Sequence, residues 1–259
     1  MSNTIHFSCV QCGKCCHDLR LPLSVDEAIG WLSDGGDIQI YADAIPWPEE
    51  PPLGDLQAQH KKRQSFAGRS GTLPVRISIT LVGSFEGPCP HLQTDMRCGA
   101  YSKRPRVCRI YPAEVNPFIS LDPSSKLCPP EAWSTEKPII LNHETISDVE
   151  VRHHVAQSRD ANGRDNGVKE QLCVGLSISI AALANEGIAI YSPRREVALD
   201  ALNAAQRSVL VKQVDHPIRW TITTNRTSTR SVLEEIGAQA IPPDCVKNDT
   251  MKFLSFQAS

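Results

Sequence analysis

The chain has no uninterrupted apolar run of transmembrane length, which argues against a membrane-spanning helix. Its first residues, Met1-Ser2-Asn3-Thr4-Ile5-His6-Phe7, have neither the basic start nor the apolar stretch of a secretory signal, so a cytoplasmic location is expected. The formal net charge of -2 lacks the positive excess of a dedicated nucleic-acid binder. There is no internal repeat, no low-complexity tract, no Ser-His-Asp order, no P-loop and no dinucleotide fingerprint. The remainder fits an ordinary globular protein: 259 residues, 41% hydrophobic and 22% charged, enough to bury one large domain or two smaller ones.

Cysteine is the exception to this ordinary composition. The chain has 10, and eight of them lie between Cys9 and Cys128, leaving only Cys173 and Cys245 beyond. In a reducing compartment such thiols do not persist as disulfides, and exposed thiolates are an oxidation hazard. A bound metal keeps sulfur deprotonated and occupied, so the number of cysteines points to metal.

The first block reads Cys9-Val10-Gln11-Cys12-Gly13-Lys14-Cys15-Cys16. Two-residue spacers let thiolates turn back onto one centre while turn amides donate to sulfur, and Gly13 tolerates the positive φ of such a turn. The run Cys9, Cys12, Cys15 copies the start of a bacterial ferredoxin loop, and Cys12-Gly13 equally suits a zinc knuckle. The second block supplies Cys89, Cys98, Cys108 and Cys128, with Pro90 and Pro129 directly after two of them. Its long spacers require the fold to bring these thiols to the first block. Adjacent side chains diverge in most backbone conformations, so Cys15 and Cys16 are expected to strain at one tetrahedral centre. Two centres follow, or one centre with a bridging or free thiol. One could use Cys9, Cys12, Cys15 and a remote cysteine, and the other Cys16 with the rest.

Basic residues surround the thiols: Lys14, Arg97, Lys103, Arg104, Arg106 and Arg109. They offset the negative charge of a thiolate centre, or line a groove for an acidic partner. Tyr101, Tyr111 and Arg104 are expected to pack the second block against the first. His17 and His91 read as neighbours of the site rather than ligands, His153-His154 as a surface pair, and Cys173 as a core thiol.

These residues resemble the YkgJ-like cysteine-cluster family, also called CxxCxxCC, a zinc- or iron-chelating family. The matching features are Cys9–Cys16, Cys89-Pro90-His91-Leu92, Cys98 with Tyr101, Arg104-Pro105, Cys108-Arg109 and Tyr111-Pro112. The resemblance covers roughly residues 5–130. Flagellin lysine N-methylases look related through the same cysteines, which implies an iron–sulfur centre used with S-adenosylmethionine. The sequence has no Gly-rich methyltransferase loop to accompany it.

The expected architecture is α+β: a loop-rich cysteine-cluster domain with short strands over residues 1–135, then a mainly helical region with a short strand element over 136–259. Ser24 and Glu27 predict a capping box opening a helix that Gly35 stops, and the alternation over 76–82 predicts a strand. Prolines at 46, 48, 51 and 52 predict a loop, and Lys61-Lys62-Arg63 a solvated face. Further on, helices are expected over 168–186, from Ser192-Pro193 and over 231–236, with a strand at 220–223. The leading functional expectation is a bacterial, cytoplasmic protein carrying an iron–sulfur cluster, [4Fe–4S] in type, on Cys9, Cys12, Cys15, Cys16, Cys89, Cys98, Cys108 and Cys128. It would serve electron transfer or protein modification, with a protein partner or substrate. The alternatives are a structural zinc protein and a methylase-like enzyme.

Overall fold

The computed structural model describes residues 4–210, 218–246 and 251–256. In chain order its strands and helices are β1 (Thr4–His6), β2 (Arg20–Leu23), α1 (Val25–Ser33), β3 (Asp37–Pro46), α2 (Leu56–Arg63), β4 (Phe66–Ser70), β5 (Leu73–Ser84) and α3 (Arg106–Ile110). They continue with β6 (Ile139–Asn142), β7 (Thr145–Ile146), α4 (Val149–Arg164), α5 (Asn166–Gly175), β8 (Ile180–Leu183) and β9 (Gly187–Tyr191). The last are α6 (Arg195–Leu210), β10 (Thr221–Thr223), α7 (Thr227–Glu235), β11 (Ala240–Ile241) and β12 (Met251–Ser255). Helices and strands are thus mixed in an α+β chain.

Packing divides the chain into two units, Met1–Leu23 with Gly83–Ala161 and Ser24–Val82 with Asn162–Ser259. This differs from a division at residue 135. The cysteine-free segment between Cys16 and Cys89 does not stay with the cysteines, because its apolar faces are completed by the C-terminal half.

In the first unit, β1, β6 and β7 form a small antiparallel sheet. Ile110, Ala113, Leu121, Ile140, Leu141 and Val155 make its core, with Phe7 and Trp133 packed alongside. β2, α3 and most of α4 are the other regular elements, and most of 85–138 is turns held by local hydrogen bonds.

The second unit is built on a sheet in the order β11-β10-β8-β3-β5. β3, β8, β10 and β11 run parallel, β9 pairs antiparallel with β3 and β12, and β4 pairs antiparallel with β5. Period-two burial makes these strands: Ile38, Ile40, Ala42 and Ala44 in β3, and Leu73, Val75, Ile77, Ile79 and Leu81 in β5, all lie inside. α1 opens with the expected capping box, in which Ser24 and Glu27 satisfy each other's amides. The amide of Val25 also donates to the buried carboxylate of Asp165 at 2.8 Å. Ala28 and Leu32 of α1, Leu172 and Cys173 of α5, and Ala198 and Leu202 of α6 are fully or almost fully buried.

Several boundaries differ from expectation. The apolar run over 168–186 splits into α5 and β8, because the chain turns at Ser177 with φ 53°. Helix α6 begins at Arg195, after Pro193, and α7 begins at Thr227, ahead of Ser231. The region 136–259 contributes β6 to β12 as well as α4 to α7. Lys61, Lys62 and Arg63 close α2, where Lys62 pairs with Glu50 at 2.7 Å.

Candidate metal centre

All eight cysteines from Cys9 to Cys128 fall in the first unit, while Cys173 and Cys245 fall in the second, one buried and one exposed. The first block is a tight loop. Gln11 and Gly13 both have positive φ, and the amide of Cys16 donates to the carbonyl of Gly13 at 2.9 Å. Gly13 is required twice over, since a Cβ there would lie 2.7 Å from the Met96 carbonyl oxygen and 3.1 Å from Leu92 Cδ1. That close approach seats the first loop against residues 89–98.

Main-chain bonds fix the second block in the same place. The amide of Cys89 donates to the carbonyl of Cys16 at 2.7 Å, and His17 bridges to Pro88. Beside it the amide of Asp18 donates to the Gly87 carbonyl at 2.8 Å, and the Asp18 carboxylate accepts from Gly87 N at 2.6 Å. Leu92 and Cys98 pair as an isolated bridge. After Pro90, the amide of Leu92 donates to the Cys89 carbonyl at 2.8 Å, and the amides of His91 and Leu92 favour the Cys89 thiolate. Turn amides donating to sulfur are what a metal-thiolate loop needs, and here they serve the second block.

The thiols crowd one another. Burial pushes Cys108 and Cys16 up to about 12, and neighbouring cysteines add to the shift. Burial also raises Cys15, Cys89 and Cys128. Without a cation, these sulfurs hold their protons at neutral pH; ligation is what removes them. Cys15 and Cys16 influence each other's proton affinity, the Cys16 thiol favouring the Cys15 thiolate.

Two polar side chains attend the sulfurs. Tyr111 Oη accepts from Leu127 N at 3.0 Å and stands beside the Cys128 sulfur, whose thiolate form it favours, and burial pushes its own hydroxyl up to about 12. The Arg104 guanidinium lies 3.9 Å over the Tyr101 ring and favours the Cys108 thiolate. Its buried Nε has no hydrogen-bond partner among the described residues. An orphaned cationic donor beside a group of thiols fits a thiolate-bound metal, whose negative charge it would meet. The donor set is likewise soft sulfur, suited to zinc or an iron–sulfur cluster.

The thiols are not drawn in to coordination distance. Among the described residues, no group of three or more His, Cys, Asp or Glu side chains is gathered tightly enough to hold a metal ion. Of the basic residues expected around the site, Lys14, Arg97 and Lys103 are exposed, and Arg104, Arg106 and Arg109 are partly covered. Arg109 is turned to the carbonyls of Arg104 and Ser102. His153 and His154 stand on α4, their rings 5.8 Å apart, away from any cysteine in sequence. Lys126 was not read from the sequence as part of the setting: it pairs with Glu114 at 2.5 Å and lies 5.7 Å over the Tyr111 ring. Its place two residues before Cys128 was the available signal.

A family model, CxxCxxCC, described as "Putative zinc- or iron-chelating domain", matches residues 8–129. No significant match was found among curated proteins or among solved structures. No helix among the described residues is long and apolar enough to cross a membrane.

Proposed function

Taking as premise that residues 8–129 are a domain of the CxxCxxCC family, we propose that the chain is an iron–sulfur protein, with Cys9, Cys12, Cys15, Cys16, Cys89, Cys98, Cys108 and Cys128 as its ligands. The gathering of these eight thiols in one unit, seven of them half-buried and Cys9 exposed, apart from Cys173 and Cys245, is the observation that supports this reading. Burial makes a free thiolate costly at Cys15, Cys16, Cys89, Cys108 and Cys128, and a cation offsets that cost. The preference for iron follows from the Cys9, Cys12, Cys15 run and from the prolines after Cys89 and Cys128, both shared with ferredoxin loops.

When bound, a [4Fe–4S] cluster supplies one-electron transfer. The residues of the chain hold and tune it: the His91 and Leu92 amides on Cys89, Tyr111 on Cys128 and Arg104 beside Cys108 all stabilise thiolate over thiol. In this reading the protein works in the cytoplasm with a protein partner or substrate, in electron transfer or protein modification.

Anaerobic purification followed by absorption spectroscopy and elemental analysis tests the metal. Brown protein with iron and matching sulfide supports the reading. Colourless protein that retains zinc overturns it in favour of a structural zinc domain.

A further inference from the structure

We infer that the eight thiols form two four-thiol sets, each holding its own ion or cluster: Cys9, Cys12, Cys15 and Cys128 in one, Cys16, Cys89, Cys98 and Cys108 in the other. The division rests on the metal-binding reading above and assigns the remote cysteines that the sequence left unassigned.

Contacts on either side of the thiols draw the first set. The amide of Ser8 donates to the Ala132 carbonyl at 2.9 Å, and the Phe7 and Trp133 rings lie 4.8 Å apart. Trp133 Nε1 in turn donates to the Cys128 carbonyl at 3.3 Å. The chain entering Cys9 is therefore tied to the chain leaving Cys128. The second set is drawn by other bonds: Cys89 N to Cys16 O at 2.7 Å, the Leu92–Cys98 bridge, and Gly99 N to His91 O at 2.7 Å. Helix α3, which carries Cys108, packs on β2, the strand that follows the Cys16 loop.

The sets adjoin rather than stand apart, because Cys15 and Cys16 are consecutive residues of one loop, closed by the bond from Cys16 N to Gly13 O. Four thiolates complete one tetrahedral ion or one cubane, so eight exceed the capacity of a single centre.

The test is an anaerobic titration of the full chain, reduced and stripped by chelator, with Co2+ alone. Thiolate-to-cobalt charge-transfer absorption and native mass spectrometry read the stoichiometry, and far-UV circular dichroism checks folding. Wild type should saturate at two cobalt ions. C98S and C128S should each saturate at one, and the C98S/C128S pair should bind none. The C12S/C128S pair removes two thiols from one set and should still bind one. Saturation of wild type at one ion, or loss of all cobalt from C12S/C128S, overturns the division and leaves metal binding standing. Wild type that binds no cobalt overturns the metal-binding reading itself.

Discussion

The amide of Cys89 donates to the carbonyl oxygen of Cys16 at 2.7 Å, joining two cysteine blocks far apart in sequence through main chain alone. Sulfur takes no part in this bond, so the fold brings the blocks together before any ion closes on them. The amides of Cys89 and Asp18 should remain protected from hydrogen exchange in chelator-stripped protein, as read by mass spectrometry. Fast exchange at both would show that the metal makes this apposition.

Gly13 and Gly87 offer a matched pair of substitutions. Their φ values are 68° and 71°, but a Cβ at Gly13 meets Met96 while one at Gly87 meets nothing within 4 Å. G87A should cost only the strain of a left-handed alanine, about 1 kcal/mol. G13A adds the collision and should cost about 3 kcal/mol, with loss of bound metal. Equal costs in urea denaturation would contradict the close approach of the two loops.

The Tyr111 hydroxyl stands beside the Cys128 sulfur and favours its thiolate, and Y111F deletes that hydroxyl while keeping the ring. Partners of metal ligands typically contribute about 10- to 100-fold in affinity. A competition titration with a chelator should show about a 10-fold weaker hold on one centre in Y111F. Unchanged affinity would remove Tyr111 from the site.

Asp43, half-buried in β3 of the second unit, is pushed up from 3.8 to about 6 by burial, against a hydrogen bond from Ser78. The folded chain thus holds this proton more tightly than the unfolded chain. Its contribution to stability is complete below about pH 4 and is lost as pH rises through about 6. D43N should be the more stable protein by about 2 kcal/mol at pH 8, with the gain gone by pH 4. Denaturation curves at the two pH values check the sign, and a gain at pH 4 instead would contradict it.

Local chemistry was legible in the sequence where one residue type does one job. Ser24 and Glu27 announced their capping box, Gly13 its left-handed turn, and the alternation around Ile77 and Ile79 its strand. The run from 168 to 186 was not legible, because buried helices and buried strands are both continuously apolar. Only the turn at Ser177 separates α5 from β8. Nor could order along the chain reveal that residues 24–82 complete the core of the second unit, since that depends on which apolar faces meet. At the site, spacing singled out eight cysteines, and all eight fall in one unit. The bond from Ser8 to Ala132, which ties the chain before Cys9 to the chain after Cys128, arises from turns that spacing does not encode.

The most direct test of the account is the metal content of C12S/C108S beside wild type, both prepared anaerobically and measured by elemental analysis. The two substitutions remove one thiol from each proposed set. The account predicts iron and sulfide in the wild type and almost complete loss of both in the variant. Metal content equal to that of the wild type in a folded variant would contradict it.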